Sequence, residues 1–288
     1  MLRKIAPGLT FSILWASGAV AVKFGIRSAD ALMLASIRFI LTGIIFCPYF
    51  LYIKKERFWP YKSEWKSIFI YGILCTTLTL GTFFAAQAYS SAGISMLFIA
   101  VAPLLIALLS SIVLKRKLTR YEIAGMVIAF SGLVLTSAAA LPNASIKPLG
   151  ILLLLIYITA YALSSVYFST IKLQMKNSVF NVWQVFIGGI VLLPFCPLFG
   201  QAHISRFDAN LVLVLLWLIF ILSFIANQLW LYLIGVDPVA AGTWLYLTPV
   251  FGYAYGYFIL GEPITIWSIL GAILVVIGLV FSKRKEVV

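Results

Sequence analysis

The chain has 288 residues, 63% of them hydrophobic and 10% charged, with a net charge of +13. Soluble domains carry about 25% charged residues, and at roughly 20 apolar residues per crossing a chain of this length has room for about ten crossings joined by short loops, which excludes an appended soluble catalytic domain. His203 is the sole histidine, so zinc hydrolysis, haem ligation and histidine relays are excluded; the positive balance is read as basic loops that orient a bilayer protein, not as a nucleic-acid footprint.

Apolar runs cut by charge and turn residues predict ten helices, over 5–24, 31–52, 66–88, 92–114, 121–141, 149–171, 179–199, 209–233, 239–260 and 266–282. Lys54-Lys55-Glu56-Arg57 closes the second, Lys115-Arg116-Lys117 the fourth and Pro142-Asn143 the fifth, while Asp237-Pro238 separates the eighth from the ninth. Ser90-Ser91 is the least marked break. Arg3-Lys4 and the small residues near Ala19 give the first run the look of a signal peptide, but that run has a counterpart inside the chain, which a cleaved leader would lack. Cys47, Cys75 and Cys196 lie in apolar runs, so no disulfide framework is expected. With the N-terminus inside, fifteen loop and terminal Lys and Arg residues fall on the cytoplasmic side and only Arg27, Lys147 and Arg206 opposite. This asymmetry places both termini in the cytoplasm.

The second half lies on the first at one offset of 146 residues: Val20 meets Val166, Gly43 meets Gly189, Pro48 meets Pro194, Pro103 meets Pro249, Gly125 meets Gly271 and Gly132 meets Gly278. The expected fold is therefore an all-α membrane protein of ten transmembrane helices, built as two inverted five-helix repeats over 1–142 and 147–288. Five is odd, so consecutive repeats cross in opposite senses. The basic Lys115-Arg116-Lys117 loop accordingly has a counterpart, Gly261-Glu262-Pro263, without positive charge. Inverted repeats with a site at their interface mark secondary transporters. Pro103 and Pro249, mid-span and equivalent, each remove a backbone hydrogen bond and are hinge candidates, since such breaks persist in lipid where protein or cavity water satisfies the freed carbonyl.

Trp15-Ala16-Ser17 through Lys23, Arg38-Phe39, the small-residue approach to Pro103, Leu260-Gly261-Glu262-Pro263-Ile264-Thr265, and Gly271 with Gly278 together resemble the drug/metabolite transporter superfamily, EamA type, across the whole chain. Arg116 departs from the pattern, standing where the first repeat often carries Glu. The resemblance implies a ten-helix basket in a bacterial inner (plasma) membrane that exports small metabolites, amino acids among them. Its cavity would be walled by the first, third, fourth, sixth, eighth and ninth spans, with the fifth and tenth as scaffold.

Helical spacing on those spans gives the pathway candidates. They are Trp15 in the first; Thr79, Phe83 and Gln87 with Thr76 in the third; and Tyr157, Tyr161 and Ser164 with Phe168 in the sixth. The eighth adds Asn227 and Trp230 with Ser223 and Gln228, and the ninth adds Thr243 and Tyr246 with Trp244, Tyr253 and Tyr257. Asp30, Glu56, Glu64, Glu122, Asp208, Asp237 and Glu262 all fall in loops or at helix ends, Glu122 in a Thr119-x-x-Glu122 capping box. No acid lies mid-membrane, which disfavours carboxylate-coupled cation antiport. An intramembrane enzyme lacks a base. Import or exchange of a nucleoside-like or cofactor-like metabolite is the alternative to export, and an open lipid-facing groove would point to a lipid flippase. Small-molecule metabolite and membrane lipid are the expected partners, with no nucleic acid, no cofactor and no metal, and a monomer is admissible.

Arg38 is the remaining candidate. It lies about 10 Å from the outer end of its span at 1.5 Å per residue, where insertion costs about 2.5–3.5 kcal/mol. Its partners are then backbone carbonyls or a substrate carboxylate. Its repeat counterpart is Gln184.

Overall fold

The computed structural model describes residues 2–90, 92–138, 147–261 and 264–282, with side chains from residue 5 onward except at 92, 93, 96 and 138. Among the described residues the chain is helical, and its one extended contact is an isolated bridge between Ala29 and Ile204. In chain order, α1 is Leu2–Gly25, α2 Ala31–Ile53, α3 Lys62–Ala86, α4 Ala92–Val113, α5 Arg120–Ala138 and α6 Pro148–Thr170. After these come α7 Asn177–Leu192, α8 Ala209–Val236, α9 in two pieces, Pro238–Leu245 and Leu247–Leu260, and α10 Ile266–Ser282. By length and composition, α1, α2, α3, α6 and α8 can cross a bilayer; α7, α10 and the Leu97–Val113 part of α4 are shorter apolar helices.

Local chemistry accounts for most boundaries. Asp208 accepts from Leu211 N to cap α8, and Asp237 accepts from Val239 N and Ala240 N to cap α9, whose first residue is Pro238. The Thr119–Glu122 box forms reciprocally, with Thr119 N donating to Glu122 and Glu122 N to Thr119 Oγ1. Two proline-set boundaries differ from expectation. The seventh helix stops at Leu192 instead of running to 199, because Pro194 and Pro197 cannot donate into its ladder and leave only the short turn Phe195–Leu198. The ninth breaks at Tyr246, three residues before Pro249, whose missing N–H would have bonded the Leu245 carbonyl. Around Pro103, by contrast, α4 runs unbroken. The fifth span's expected end at 139–141 and the Pro142-Asn143 break lie outside the described residues.

Two helices carry long π-wound stretches, Gly72–Gly81 in α3 and Leu218–Ala226 in α8. Their starts are 146 residues apart, so the repeat extends to the winding of the backbone. Wider turns of this kind are rare and concentrate at functional sites. Nothing in the apolar pattern announces them.

The packing follows the same symmetry. α5 lies along α10 and α2 along α7; α4 packs on α6 as α9 does on α1, and α3 packs on α6 and α7 as α8 does on α1 and α2. Small residues let the paired backbones touch. A Cβ on Gly125 would sit 2.5 Å from the Gly278 oxygen, and one on Gly132 would sit 2.6 Å from the Gly271 oxygen. Early residues of α5 thus meet late residues of α10, and the same crossing recurs where Gly43 faces Phe186 and Gly189 faces Phe39 on α2 and α7. These two pairs of equivalent helices therefore run antiparallel. Close approach of small residues is the association mode that remains when water supplies no driving force between helices.

Candidate functional site

Where α1, α3, α6 and α8 converge, six aromatic rings form a continuous ladder. Trp15 tilts on Phe11 (5.5 Å), Phe11 stacks on Trp230 (5.0 Å) and Trp230 stacks on Tyr161 (5.4 Å); Tyr161 stacks on Tyr157 (6.1 Å), and Tyr157 meets Phe83 (5.0 Å). Phe11 and Trp15 are the repeat counterparts of Tyr157 and Tyr161, so the two halves contribute equivalent faces. Phe11 was not among the predicted residues, although its i, i+4 spacing to Trp15 is the signal that finds it.

The ladder is apolar in body and polar at its tips. Among the described residues, Trp230 Nε1 and the Tyr161 hydroxyl are sealed from solvent without a hydrogen-bond partner, and so is the hydroxyl of Tyr246, at the break in α9. Each unmet buried group costs about 1–3 kcal/mol, whereas each ring pair contributes about 0.5–1.5 kcal/mol beyond its burial. Such groups occur elsewhere too, at Ser110 and Thr248; on the ladder two of them lie on adjacent stacked rings, where acceptors from one ligand would meet both.

The other predicted residues divide by their bonds. Thr79 donates to Leu74 O across the wide α3 turn, Ser164 to Tyr161 O and Thr243 to Ala240 O, so these hydroxyls are satisfied within their own helices. Gln87 lies exposed beyond the end of α3, bound to Phe83 O and Ser95 Oγ, and Tyr257 is exposed beside Phe258. Phe168 packs with Tyr71 and Phe180 beside the ladder, in the same apolar core. Pro103 and Pro249 are both buried.

Asn227 belongs to a second centre that the sequence reading missed. Asn181 Oδ1 accepts from Gln184 Nε2 and from Asn227 Nδ2, both at 3.0 Å, and Thr76 Oγ1 donates to Gln184 Oε1 at 2.8 Å. Asn181 Nδ2 closes the set on Ser223 O at 2.9 Å. This network ties α3, α7 and α8. Two amides three residues apart in an otherwise apolar span were its legible sign.

Arg38 stands apart. It is 6% exposed, and its guanidinium carbon lies 4.4 Å from the Phe39 ring and 5.8 Å from that of Phe84. No backbone carbonyl accepts from it among the described residues, so of the two partners the sequence left open, backbone carbonyls or a substrate carboxylate, the first is not in place. At the basic end of the bundle, Arg116 bridges Glu122 (2.6 Å) and Asp237 (2.7 Å), joining the α4–α5 loop of one half to the start of α9 in the other. The hydrogen bond with Glu122, and that with Asp237 after it, raise the Arg116 pKa against the opposing effect of burial. A groove of about 350 Å³ opens between α2 and α7, walled by Gly43, Ile44, Cys47, Trp59, Val182 and Phe186 among others and by no charged side chain.

The profile of the EamA-like transporter family matches residues 4–138 and again residues 148–283. The chain belongs to the EamA-like transporter family. It is thus a membrane transporter with two EamA domains. Similar proteins include an uncharacterized transporter of Archaeoglobus fulgidus, 25% identical with 95% of each chain covered. The uncharacterized inner membrane transporter YedA of Escherichia coli is 27% identical over 93% of this chain and 87% of that one. A probable amino-acid metabolite efflux pump of Salmonella typhimurium is 25% identical, over 93% and 90%. One crystal structure of another protein shares the fold, with a TM-score of 0.82 at 18% identity over 96% and 95% of the chains.

Proposed function

We propose that this EamA-like chain is a carrier of the cell membrane, in a bacterium the inner membrane, that exports amino acids or related small amphipathic metabolites by alternating access. In this reading all ten helices cross the bilayer, the two EamA halves are inverted repeats with both termini cytoplasmic, and the protein acts as a carrier and not as an enzyme. The observation that carries it is the ladder between the halves: stacked rings for an apolar body, with buried N–H and O–H groups that have no partner among the described residues. Sites of mostly aromatic lining with a few convergent polar groups are the usual form of a small-molecule site, and the antiparallel pairing of equivalent helices supports exchange of the two halves around it. A flippase needs a polar track for a headgroup, and the walls of the α2–α7 groove are apolar.

The test is metabolite profiling of cells and medium with the protein overproduced and deleted. A compound that accumulates outside in one strain and inside in the other names the cargo. Trp230→Phe, which keeps the stack and removes the N–H, should then insert normally and lower export of that compound at least severalfold in proteoliposomes. Unchanged export by Trp230→Phe would remove the ladder from the pathway, and no reciprocal compound in the two strains would overturn export. Since every acid falls in a loop or at a helix end and none mid-span, export should persist without a proton gradient.

A further inference from the structure

Arg38 carries a charge that the protein does not neutralise. Among the described residues its guanidinium has neither a carboxylate nor a hydrogen-bond acceptor, and its Nε is sealed from solvent. Phe39 and Phe84 offer ring faces, which attract a cation but do not satisfy its N–H groups. The described acids are engaged elsewhere. Asp30 accepts from His203 N, Glu56 pairs with Lys176, Glu64 with Arg57, Glu122 and Asp237 with Arg116, and Asp208 accepts from Ser28 and Leu211 N. The repeat provides an internal control: Gln184, at the equivalent place, is fully buried and bonded through both its amide nitrogen and its amide oxygen. Helix packing at this position therefore does not require a cation.

Phe84, beneath the guanidinium, is followed through Phe83 (6.0 Å) by Tyr157 and the rest of the ladder. We infer that Arg38 is an anion site that binds the carboxylate of an amphipathic cargo whose apolar body lies against the Phe83–Tyr157–Tyr161 rings. A buried arginine within a span pairs with an anion or marks a substrate path, and the planar guanidinium suits a carboxylate through two parallel bonds. This rests on the transporter reading and narrows its cargo to organic acids and zwitterions. A small inorganic anion would satisfy the same charge, so the test separates the two.

The full chain, purified in detergent, is titrated with 3-phenylpropionate, with its neutral amide and with sodium chloride, following thermal unfolding and the fluorescence of the tryptophans. The acid should raise Tm and change fluorescence saturably, and the amide and chloride should do neither. Arg38→Gln should weaken the acid's apparent affinity at least tenfold, Arg38→Lys should recover part of it, and the ligand-free Tm of Arg38→Gln should equal or exceed that of the unaltered protein. Three results each overturn the proposal: no saturable response to the acid, equal binding of the acid by Arg38→Gln, or a lower ligand-free Tm for Arg38→Gln, which would make the arginine a structural tie. An Arg38-dependent response to chloride equal to that of the acid would make this an inorganic-anion site and overturn the carboxylate. Binding is read without any gradient, so its failure leaves export to the metabolite experiment, and an acid that binds but is not moved would sink export alone.

Discussion

Arg38 on α2 and Gln184 on α7 occupy one place in two copies of the same fold, yet their surroundings differ in kind. Gln184 is held by Thr76 and Asn181, and through Asn181 by Asn227, so that three helices of the bundle are tied by groups that satisfy one another. Around Arg38 the counterparts of Asn181 and Thr76 are Ala35 and Leu222; neither can accept a bond. The backbone has kept its symmetry through the glycine crossings and the paired π-wound stretches, while the polar interior has diverged. A closed network suits an element that holds position, because a buried polar group with its partners in place resists rearrangement. Groups left open suit an element that waits for a ligand.

The comparison fails altogether if the halves are not inverted, and labelling tests that with an all-or-none result. In a cysteine-free background, Ser205→Cys should react with an impermeant thiol reagent added outside intact cells, and Ser63→Cys and Asn177→Cys should not. The reverse pattern would invert the charge-based orientation. The next largest effect is expected at Asn181. Asn181→Leu leaves the Gln184 and Asn227 amides without an acceptor, and two unmet donors at about 1–3 kcal/mol each predict a loss of about 3 kcal/mol, read as a clear fall in Tm. If Asn181→Leu unfolds at the same temperature as the unaltered protein, the network is not the tie described above. The smallest effect concerns the other asymmetric pair, Arg116 and its repeat counterpart Glu262. The Arg116 bridge is partly exposed, so Arg116→Gln should cost below about 1 kcal/mol. Because the bridge joins the two halves, the variant should also raise the thiol reactivity of a cysteine at Ala240 from the cytoplasmic side. Unaltered reactivity would show that this contact does not hold the basic end of the bundle closed.

Much of the fold was legible in the sequence because bilayer burial writes itself into composition. Long apolar runs, basic breaks and a constant 146-residue offset led to the helices and to the repeat that the glycine contacts later embodied. Caps were equally legible at Thr119–Glu122, where a local motif closes on itself. The ladder was legible only in part. Trp15, Phe83, Tyr157, Tyr161 and Trp230 do meet in one ladder, and Tyr246 shares its unpartnered character. Thr79, Ser164 and Thr243 do not, because a hydroxyl in a helix can donate to a carbonyl of its own helix, and no spacing rule separates that fate from facing a cavity. Gln87 and Tyr257 sit at helix ends, where a shift in boundary or rotation turns a side chain outward.

The sequence by itself determined what depends on neighbours along the chain or on the solvent around it: apolar length, charge placement, proline breaks, caps and the duplication. Tertiary structure decided what depends on atoms distant in sequence. Whether a buried donor finds an acceptor on another helix, as Asn181 does and Arg38 does not, is fixed only when α2, α3, α7 and α8 come together. So is the winding of α3 and α8, since a π-wound turn gives up regular helical bonds and persists where packing against neighbouring helices compensates the loss.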